Sequence, residues 1–195
     1  SRIGYPYELE WMEGGSLQNV QRVVGGESIY VEPSIDFVPF LYTPLYYYLA
    51  APLLWLLGNG FIALRLLSLL ATLATLLLIH RVIRGEGGSH RSGLIAAGIY
   101  AACFELGGAW LDIGRVDSLM VALLLAGLLL LRHATTSRQA ILAGAILALG
   151  FFTKQTVLVA VAPVLAWQLL SRRRLGLACL ASFAGLLVIS TLLMN

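Results

Sequence analysis

Three glutamates close to the start of the chain have the type and spacing that could do chemistry. Glu8, Glu10 and Glu13 lie in the segment YPYELEWMEGG. On a helix Glu10 and Glu13 would share a face, because residues three apart are neighbours on a helix surface. A carboxylate beside a membrane can deprotonate a hydroxyl group or bind a divalent cation. The same pattern also fits a solvated loop, or acids that favour a helix N-terminus, so these interpretations stay open.

A second polar group lies in the short segment LDIGRVDSL, between two apolar blocks. It contains Asp112, Arg115 and Asp117. Polar groups this close to hydrocarbon are costly unless they are paired. Arg115 could serve only to neutralise the two aspartates, or the group could take part in a functional site. The sequence supports both interpretations equally.

Two basic residues border apolar runs. Arg65 lies about one turn into an apolar block, and Lys154 stands in GFFTKQT between two such runs. Each could extend its charged end to the membrane surface while its stem stays in the hydrocarbon. Each could equally bind a lipid phosphate. Placed at the same membrane level as the carboxylates, they would form a site that holds an anion beside a reacting hydroxyl or amine.

The elements that must position these residues are apolar helices. The chain is 59% hydrophobic and only 12% charged, with a mean hydropathy of +0.85. A soluble domain is about half apolar and about a quarter charged. The arginines fall in short loops and form no basic face, which argues against nucleic-acid binding. The two cysteines match no zinc or redox motif. This pattern predicts an all-α polytopic membrane protein.

We expect two regions. Residues 1–59 form an outer loop, with an amphipathic helix around residues 8–24 and an aromatic helix over residues 44–57 that lies at the membrane interface. Residues 60–195 form an incomplete helical bundle, because the chain starts without Met and stops after an apolar run, as a fragment would. Its six predicted spans are residues 60–80, 93–111, 116–131, 139–152, 156–170 and 175–194.

The charge distribution predicts an orientation. The loops 80–92, 132–138 and 171–174 fall on one side of the membrane and carry eight arginines, so this side is predicted to be cytoplasmic. These arginines are Arg81, Arg84, Arg91, Arg132, Arg138, Arg172, Arg173 and Arg174. Among the acids only Glu86 lies there, and all the others are placed on the opposite side. Any chemistry carried by the carboxylates is therefore expected at the non-cytoplasmic face.

Several segments together resemble one family of enzymes. In order they are Glu10 to Gly25, Ile29-Tyr30, YTPLYYYLAAPL at Tyr42–Leu53, Ala63–Ser68, Val116–Leu119, and Phe152-Thr153-Lys154-Gln155. They are similar to the corresponding motifs of GT-C superfamily glycosyltransferases, which include protein O-mannosyltransferases and lipid A aminoarabinose transferases. Two positions depart from the family pattern. The leading acid of the first motif is usually Asp and is here Glu10, and the usual Thr-Lys-Gly ends in Gln155.

The resemblance implies a bacterial envelope enzyme of the inner or plasma membrane, active at its periplasmic or extracellular face. It would transfer a sugar, with inversion, from a polyprenyl-phosphate donor to a lipid, glycan or protein acceptor. Glu10 would be the general base, with Glu13 as the alternative, and Asp117 would orient the acceptor or the loop. Lys154 and Arg65 would stabilise the donor phosphate, with Gln155 as a further substrate-binding residue. The sequence holds no strict Asp-x-Asp motif, so it leaves open whether a divalent cation takes part.

Two other classes of function compete with this interpretation. A transporter or lipid flippase would also place charges in the membrane, but such proteins usually show internal repeats. The chain shows no repeat, and its acids gather at one surface, which favours chemistry there. A non-catalytic subunit of a membrane assembly could use the same scaffold, and the sequence does not separate this possibility from the enzyme.

Overall fold

The computed structural model describes residues 2–194 and is all-α, as predicted. The regular structure of the described part consists of eight helices. They are α1 Trp11–Val24, α2 Leu45–Leu57, α3 Gly60–Gly85, α4 His90–Ala102, α5 Val116–His133, α6 Ser137–Thr153, α7 Val157–Ser171 and α8 Arg173–Met194.

The helices belong to two compact units, which divide after Leu119. In the first unit α2 packs against α1 and α3, and α3 also packs against α4. In the second unit α6 packs closely on α8, and α7 contacts both. The closeness of α6 and α8 depends on Gly144, where an added Cβ would lie 2.3 Å from the carbonyl oxygen of Cys179. The predicted division of the chain at residue 59 remains a prediction about its organisation.

The two predicted outer-loop helices are present. Helix α1 begins at Trp11, later than expected, because Glu10 has an extended backbone and its side chain caps the helix by accepting a hydrogen bond from the Met12 amide. Helix α2 ends at Gly58, whose φ of 63° is left-handed. Asn59 then caps α3. The predicted separation of the aromatic helix from the first long span is confirmed.

One predicted span is wrong in its second half. The block 93–111 is apolar except for Glu105, but α4 ends at Ala102 and the chain then runs through turns at Gly107 and Gly108. The 13 residues of α4 reach about 20 Å, whereas a bilayer core is about 30 Å thick. Apolar composition signals burial in protein or lipid, but it does not exclude an irregular backbone.

The remaining helices follow the predicted blocks to within a few residues. The expected turn at Lys154 is confirmed, since α6 ends there and α7 begins at Val157. Three helices of the described chain are long and apolar enough to cross a membrane, namely α3, α5 and residues Arg173–Leu192 of α8. Helices α2, α6 and α7 are apolar but shorter. The predicted number of six spans therefore stays a prediction, whereas the helical membrane architecture is supported.

Candidate functional site

The first unit contains a fully buried ion pair between Glu13 and Arg65. Both side chains are 0% exposed. The Arg65 guanidinium donates two parallel hydrogen bonds to the Glu13 carboxylate, from Nε to Oε1 at 3.0 Å and from Nη2 to Oε2 at 2.8 Å. The amides of Gly114 and Leu9 donate to the same two oxygens at 2.6 and 2.7 Å. Each oxygen of Glu13 thus accepts two hydrogen bonds.

The rest of the Arg65 guanidinium binds the start of the chain. Its Nη1 donates to the carbonyl oxygens of Arg2 at 3.1 Å and Tyr5 at 2.6 Å, and its Nη2 donates to that of Tyr7 at 2.7 Å. A guanidinium has five N–H groups, and here each has a protein acceptor. Arg65 therefore joins the N-terminal segment, α1 and α3. The contact with a donor phosphate that we expected of Arg65 stays a prediction, and these contacts give it no support.

The environment of Glu13 favours its ionised form. Burial alone would raise the pKa of this carboxyl, but the hydrogen bonds from Arg65, Gly114 and Leu9 together hold the pKa below its ordinary value of 4.5. A general base works best when its pKa lies near the working pH. The geometry consequently favours Glu13 as an ionised anchor, and its alternative role as the base stays a prediction.

A second cluster, here called the Glu10 cluster, consists of Glu10, Arg115 and Asp117. Arg115 donates from Nη1 to Glu10 Oε2 at 2.9 Å and from Nε to Asp117 Oδ2 at 3.1 Å. Its guanidinium carbon lies 3.9 Å from the ring centroid of Trp110. Arg115 is 7% exposed, but the two carboxylates are 20% and 19% exposed, so they can be reached from outside. The structure thus brings together two of the predicted site residues.

The two oxygens of Glu10 differ. Oε2 accepts hydrogen bonds from Arg115 and from the Met12 amide, whereas Oε1 accepts none from residues 2–194. The carboxylate is therefore fixed at one oxygen and available at the other. This is the arrangement that a proton acceptor needs, because the group is held in place without losing its capacity to bind a proton.

The pairing of Asp112 differs from the sequence-based alternative in which Arg115 neutralises both aspartates. That alternative is wrong. Asp112 forms its ion pair with Arg2, which also donates to the carbonyl oxygen of Ala109 at 2.7 Å. Arg115 is left to bridge Asp117 and Glu10. Burial lowers the pKa of Arg115, but Asp117 and Glu10 outweigh this and raise it, so the guanidinium stays charged.

The sequence analysis considered Arg115 together with Asp112 and Asp117, but it did not predict the contact of Arg115 with Glu10. The sequence shows Arg115 only as a single cation between two acids in a short loop. Its partner Glu10 is 105 residues away in the chain, so no local pattern indicates this contact. Hydrogen bonds to α3 hold this loop: Ser68 donates to the carbonyl oxygen of Arg115 at 3.1 Å, and Thr72 donates to that of Leu111 at 2.5 Å. Gly114 permits the close approach, because a Cβ there would lie 2.9 Å from that of Leu64.

Lys154 and Gln155 lie in the second unit, in the turn between α6 and α7. Lys154 ends α6 with an extended backbone, and its carbonyl oxygen accepts a hydrogen bond from the Val157 amide at 3.1 Å. Their expected contacts with the donor remain predictions. Within residues 2–194 no three His, Cys, Asp or Glu side chains form a group suited to a metal ion.

Comparison with known proteins identifies the family. The sequence profile of the dolichyl-phosphate-mannose-protein mannosyltransferases matches residues 39–194, which include Arg65, Arg115, Asp117 and Lys154. Helix α1, which contains Glu13 and is capped by Glu10, precedes the matched region. No curated protein and no solved structure matches the chain significantly. Because the profile covers more than half of the sequence, the chain belongs to the dolichyl-phosphate-mannose-protein mannosyltransferase family, membrane glycosyltransferases that take their sugar from a lipid-phosphate donor, and the resemblance to GT-C enzymes is confirmed.

Proposed function

We propose that this protein transfers a sugar from a polyprenyl-phosphate donor to an acceptor at the non-cytoplasmic membrane face, with inversion, and that Glu10 is the general base. The observation that carries the base assignment is the asymmetry of the Glu10 carboxylate. Its Oε2 is held by Arg115 and the Met12 amide, while its Oε1 has no hydrogen bond from the described chain and the side chain is 20% exposed. Glu13 lacks such an available oxygen.

The proposed reaction is a single displacement. The acceptor hydroxyl or amine gives its proton to Glu10 Oε1, and its oxygen or nitrogen forms a bond to the anomeric carbon of the sugar. The bond from that carbon to the phosphate oxygen breaks on the opposite side, and polyprenyl phosphate leaves with the electron pair. Inversion follows because attack and departure take place on opposite faces of the anomeric carbon.

Arg115 and Asp117 have positioning roles in this proposal. Arg115 fixes the direction of the Glu10 carboxylate, and a small error in the position of a catalytic group can cost a large factor in rate. Asp117 holds the other side of the Arg115 guanidinium and opens α5. Its exposed part can orient the acceptor. The pair Glu13–Arg65 holds α1 against α3, so that the Glu10 cluster stays assembled.

The leaving phosphate requires a positive partner, since stabilisation of developing charge is usually the largest catalytic effect. We assign this role to Lys154, with Gln155 beside it, on the strength of the family motif at Phe152–Gln155. The profile match includes this segment. Arg65 is a weaker candidate than it was from the sequence, because its five N–H groups have protein acceptors.

The membrane arrangement is also part of the proposal. Helices α1 and α2 lie along the non-cytoplasmic surface, and α3 to α8 make up the bundle. Exposed aromatic rings support the surface position, since Trp11 is 72% exposed, Tyr48 is 57% exposed and Trp55 is 79% exposed. Amphipathic rings of this kind favour the headgroup region. The eight loop arginines support the sidedness.

Transfer of radiolabelled mannose tests this function and separates it from its competitors. The full-length protein is reconstituted in vesicles with polyprenyl-phosphate mannose, and both label transfer and release of polyprenyl phosphate are followed. An enzyme transfers label to an acceptor and releases the lipid phosphate in equal amounts. A flippase would move the intact donor across the membrane, and an assembly subunit would do neither. Either of the last two results would contradict the proposal.

A further inference from the structure

Helices α3 and α4 form a concave apolar surface, here called the α3–α4 groove. It lies toward the C-terminal end of α3, away from Arg65. It has a volume of about 560 Å³, which is within the range of about 300–1,000 Å³ of small-molecule sites. Its apolar lining includes Leu73, Leu76, Leu77, Leu94, Ala97 and Gly98. Several of these leucines are exposed, including Leu77 at 67%. In a membrane protein a lipid chain would cover such a surface.

One end of the groove is polar. His80 of α3 and His90 of α4 lie there, with His80 Nε2 3.0 Å from His90 Nδ1. Gly93 permits this contact, because a Cβ at that position would lie 2.6 Å from His80 Cδ2. In a neutral pair one ring donates this hydrogen bond, and the ring that accepts it keeps its own N–H for another acceptor.

Positive charge extends the polar end of the groove. Arg84 is exposed and lies four residues after His80, so it continues the same face of α3 by one turn. It also donates to the carbonyl oxygen of Gly88 at 3.0 Å. The segment 80–92 holds three arginines against one acid, Glu86. A groove that is apolar along its length and positive at one end is complementary to a lipid with an anionic headgroup.

This end is distant from the proposed reaction. His80 follows Arg65 by 15 residues on α3, which corresponds to about 22 Å along a helix axis. A donor whose anomeric carbon reacts at Glu10, three residues from the Arg65 partner Glu13, cannot at the same time place its phosphate at the His80 end. The groove is therefore open to a ligand other than the reacting donor, and it lies on the side that the arginine distribution predicts to be cytoplasmic.

We propose that the α3–α4 groove binds a diacyl phospholipid with an anionic headgroup, with an acyl chain along the leucines and the headgroup phosphate at His80, His90 and Arg84. The bound lipid covers the exposed faces of α3 and α4 on the predicted cytoplasmic side. The lipid site is argued from the lining and charge of the groove itself, and its separation from the sugar donor rests on the proposed position of the reaction at Glu10.

Native mass spectrometry of the purified full-length protein tests the proposal. The protein is titrated with phosphatidylglycerol or with phosphatidylcholine of the same acyl chains. Phosphatidylglycerol should bind saturably and about fivefold more tightly for one arginine–headgroup contact. Arg84→Gln should remove this preference, whereas Arg81→Gln, which changes the same charge off the His80 face, should retain it. No saturable binding, or equal binding of both lipids to the wild type, would overturn the proposal.

A second pair of variants tests the place of binding. Gly98→Leu puts a side chain into the groove, and Gly185→Leu makes the same change in α8; an added Cβ meets no heavy atom within 4 Å at either position. Gly98→Leu should lose binding of phosphatidylglycerol, and Gly185→Leu should bind like the wild type. Equal binding to the two variants would place the lipid elsewhere. Loss of polyprenyl-phosphate binding in Gly98→Leu would assign the groove to the donor and would also refute the proposal.

Discussion

Replacement of Glu13 by Gln separates an anchoring role from a catalytic one. In the structure both carboxylate oxygens accept two hydrogen bonds, from Arg65 and from the amides of Gly114 and Leu9. A Gln side chain keeps one acceptor oxygen. Its NH₂ group replaces the other oxygen and faces the two N–H groups that donated to it, so those two hydrogen bonds are lost. Arg65, which is 0% exposed, loses its counter-charge. The substitution should therefore destabilise the first unit.

The expected size of the effect follows from burial. Breaking a buried ion pair by removing one partner costs about 3–5 kcal/mol. Domains commonly have about 5–15 kcal/mol of total stability, so this loss is a large fraction. The pair between Arg22 and Glu27 is a matched control, because Glu27 is 57% exposed. Exposed pairs contribute about 0–1 kcal/mol, and Glu27→Gln should therefore have little effect.

The assay is unfolding of the full-length protein in mixed micelles, followed by tryptophan fluorescence. Glu13→Gln should unfold at a clearly lower denaturant concentration than the wild type, and Glu27→Gln should unfold like the wild type. The reasoning is refuted if Glu13→Gln is as stable as the wild type. If that stable variant has also lost sugar transfer, Glu13 is the base and the assignment moves by one helical turn.

Three further predictions concern Glu13, Arg115 and Lys154. The folded protein lowers the pKa of Glu13, so the contribution of this carboxylate to stability is present at neutral pH and is lost as the pH falls through the folded-state pKa. When unfolding is measured between about pH 7 and about pH 3, the wild type should therefore lose stability more steeply than Glu13→Gln. Arg115→Lys keeps the positive charge but loses the planar guanidinium that binds Glu10 and Asp117 at the same time, so sugar transfer should slow by about tenfold to hundredfold while donor binding is unchanged. An unaltered transfer rate would contradict the positioning role. In a binding titration, Lys154→Ala should weaken donor binding by about 1.5–3 kcal/mol, and Lys154→Arg should weaken it less because the charge is kept. Equal donor affinity of the wild type and Lys154→Ala would contradict the phosphate contact and leave Lys154 with a purely interfacial role.

Local sequence signals predicted much of the fold. Gly58 and Asn59 carry the ordinary signals for a helix end and a helix start, and they separate α2 from α3 as expected. Lys154 interrupts an apolar run that would otherwise be too long for one span. The predicted helix over residues 93–111 failed because those residues are apolar almost throughout, and Gly107 and Gly108 were the only local indications of a turn.

The site was less predictable, because its contacts join distant parts of the chain. Glu10 and Asp117 were selected as acids near the membrane surface, but their shared partner Arg115 was visible only in three dimensions. Arg65 was considered as a phosphate ligand because it stands in an apolar block at the predicted membrane level of the carboxylates. Its anion is Glu13, 52 residues earlier in the chain, and no local pattern distinguishes this partner from a ligand.

Single-turnover sugar transfer by Glu10→Gln, compared with Glu8→Gln, tests the central claim most directly. Both substitutions remove one carboxylate from the same segment, but Glu8 is exposed, whereas Glu10 is held by Arg115. The full-length variants are saturated with labelled polyprenyl-phosphate mannose, donor binding is confirmed, and acceptor is then added. Glu10→Gln should transfer about 10²–10⁴-fold more slowly, because the amide cannot take the acceptor proton, and Glu8→Gln should transfer at nearly the wild-type rate. Transfer by Glu10→Gln at the wild-type rate would contradict the assignment of Glu10 as the base.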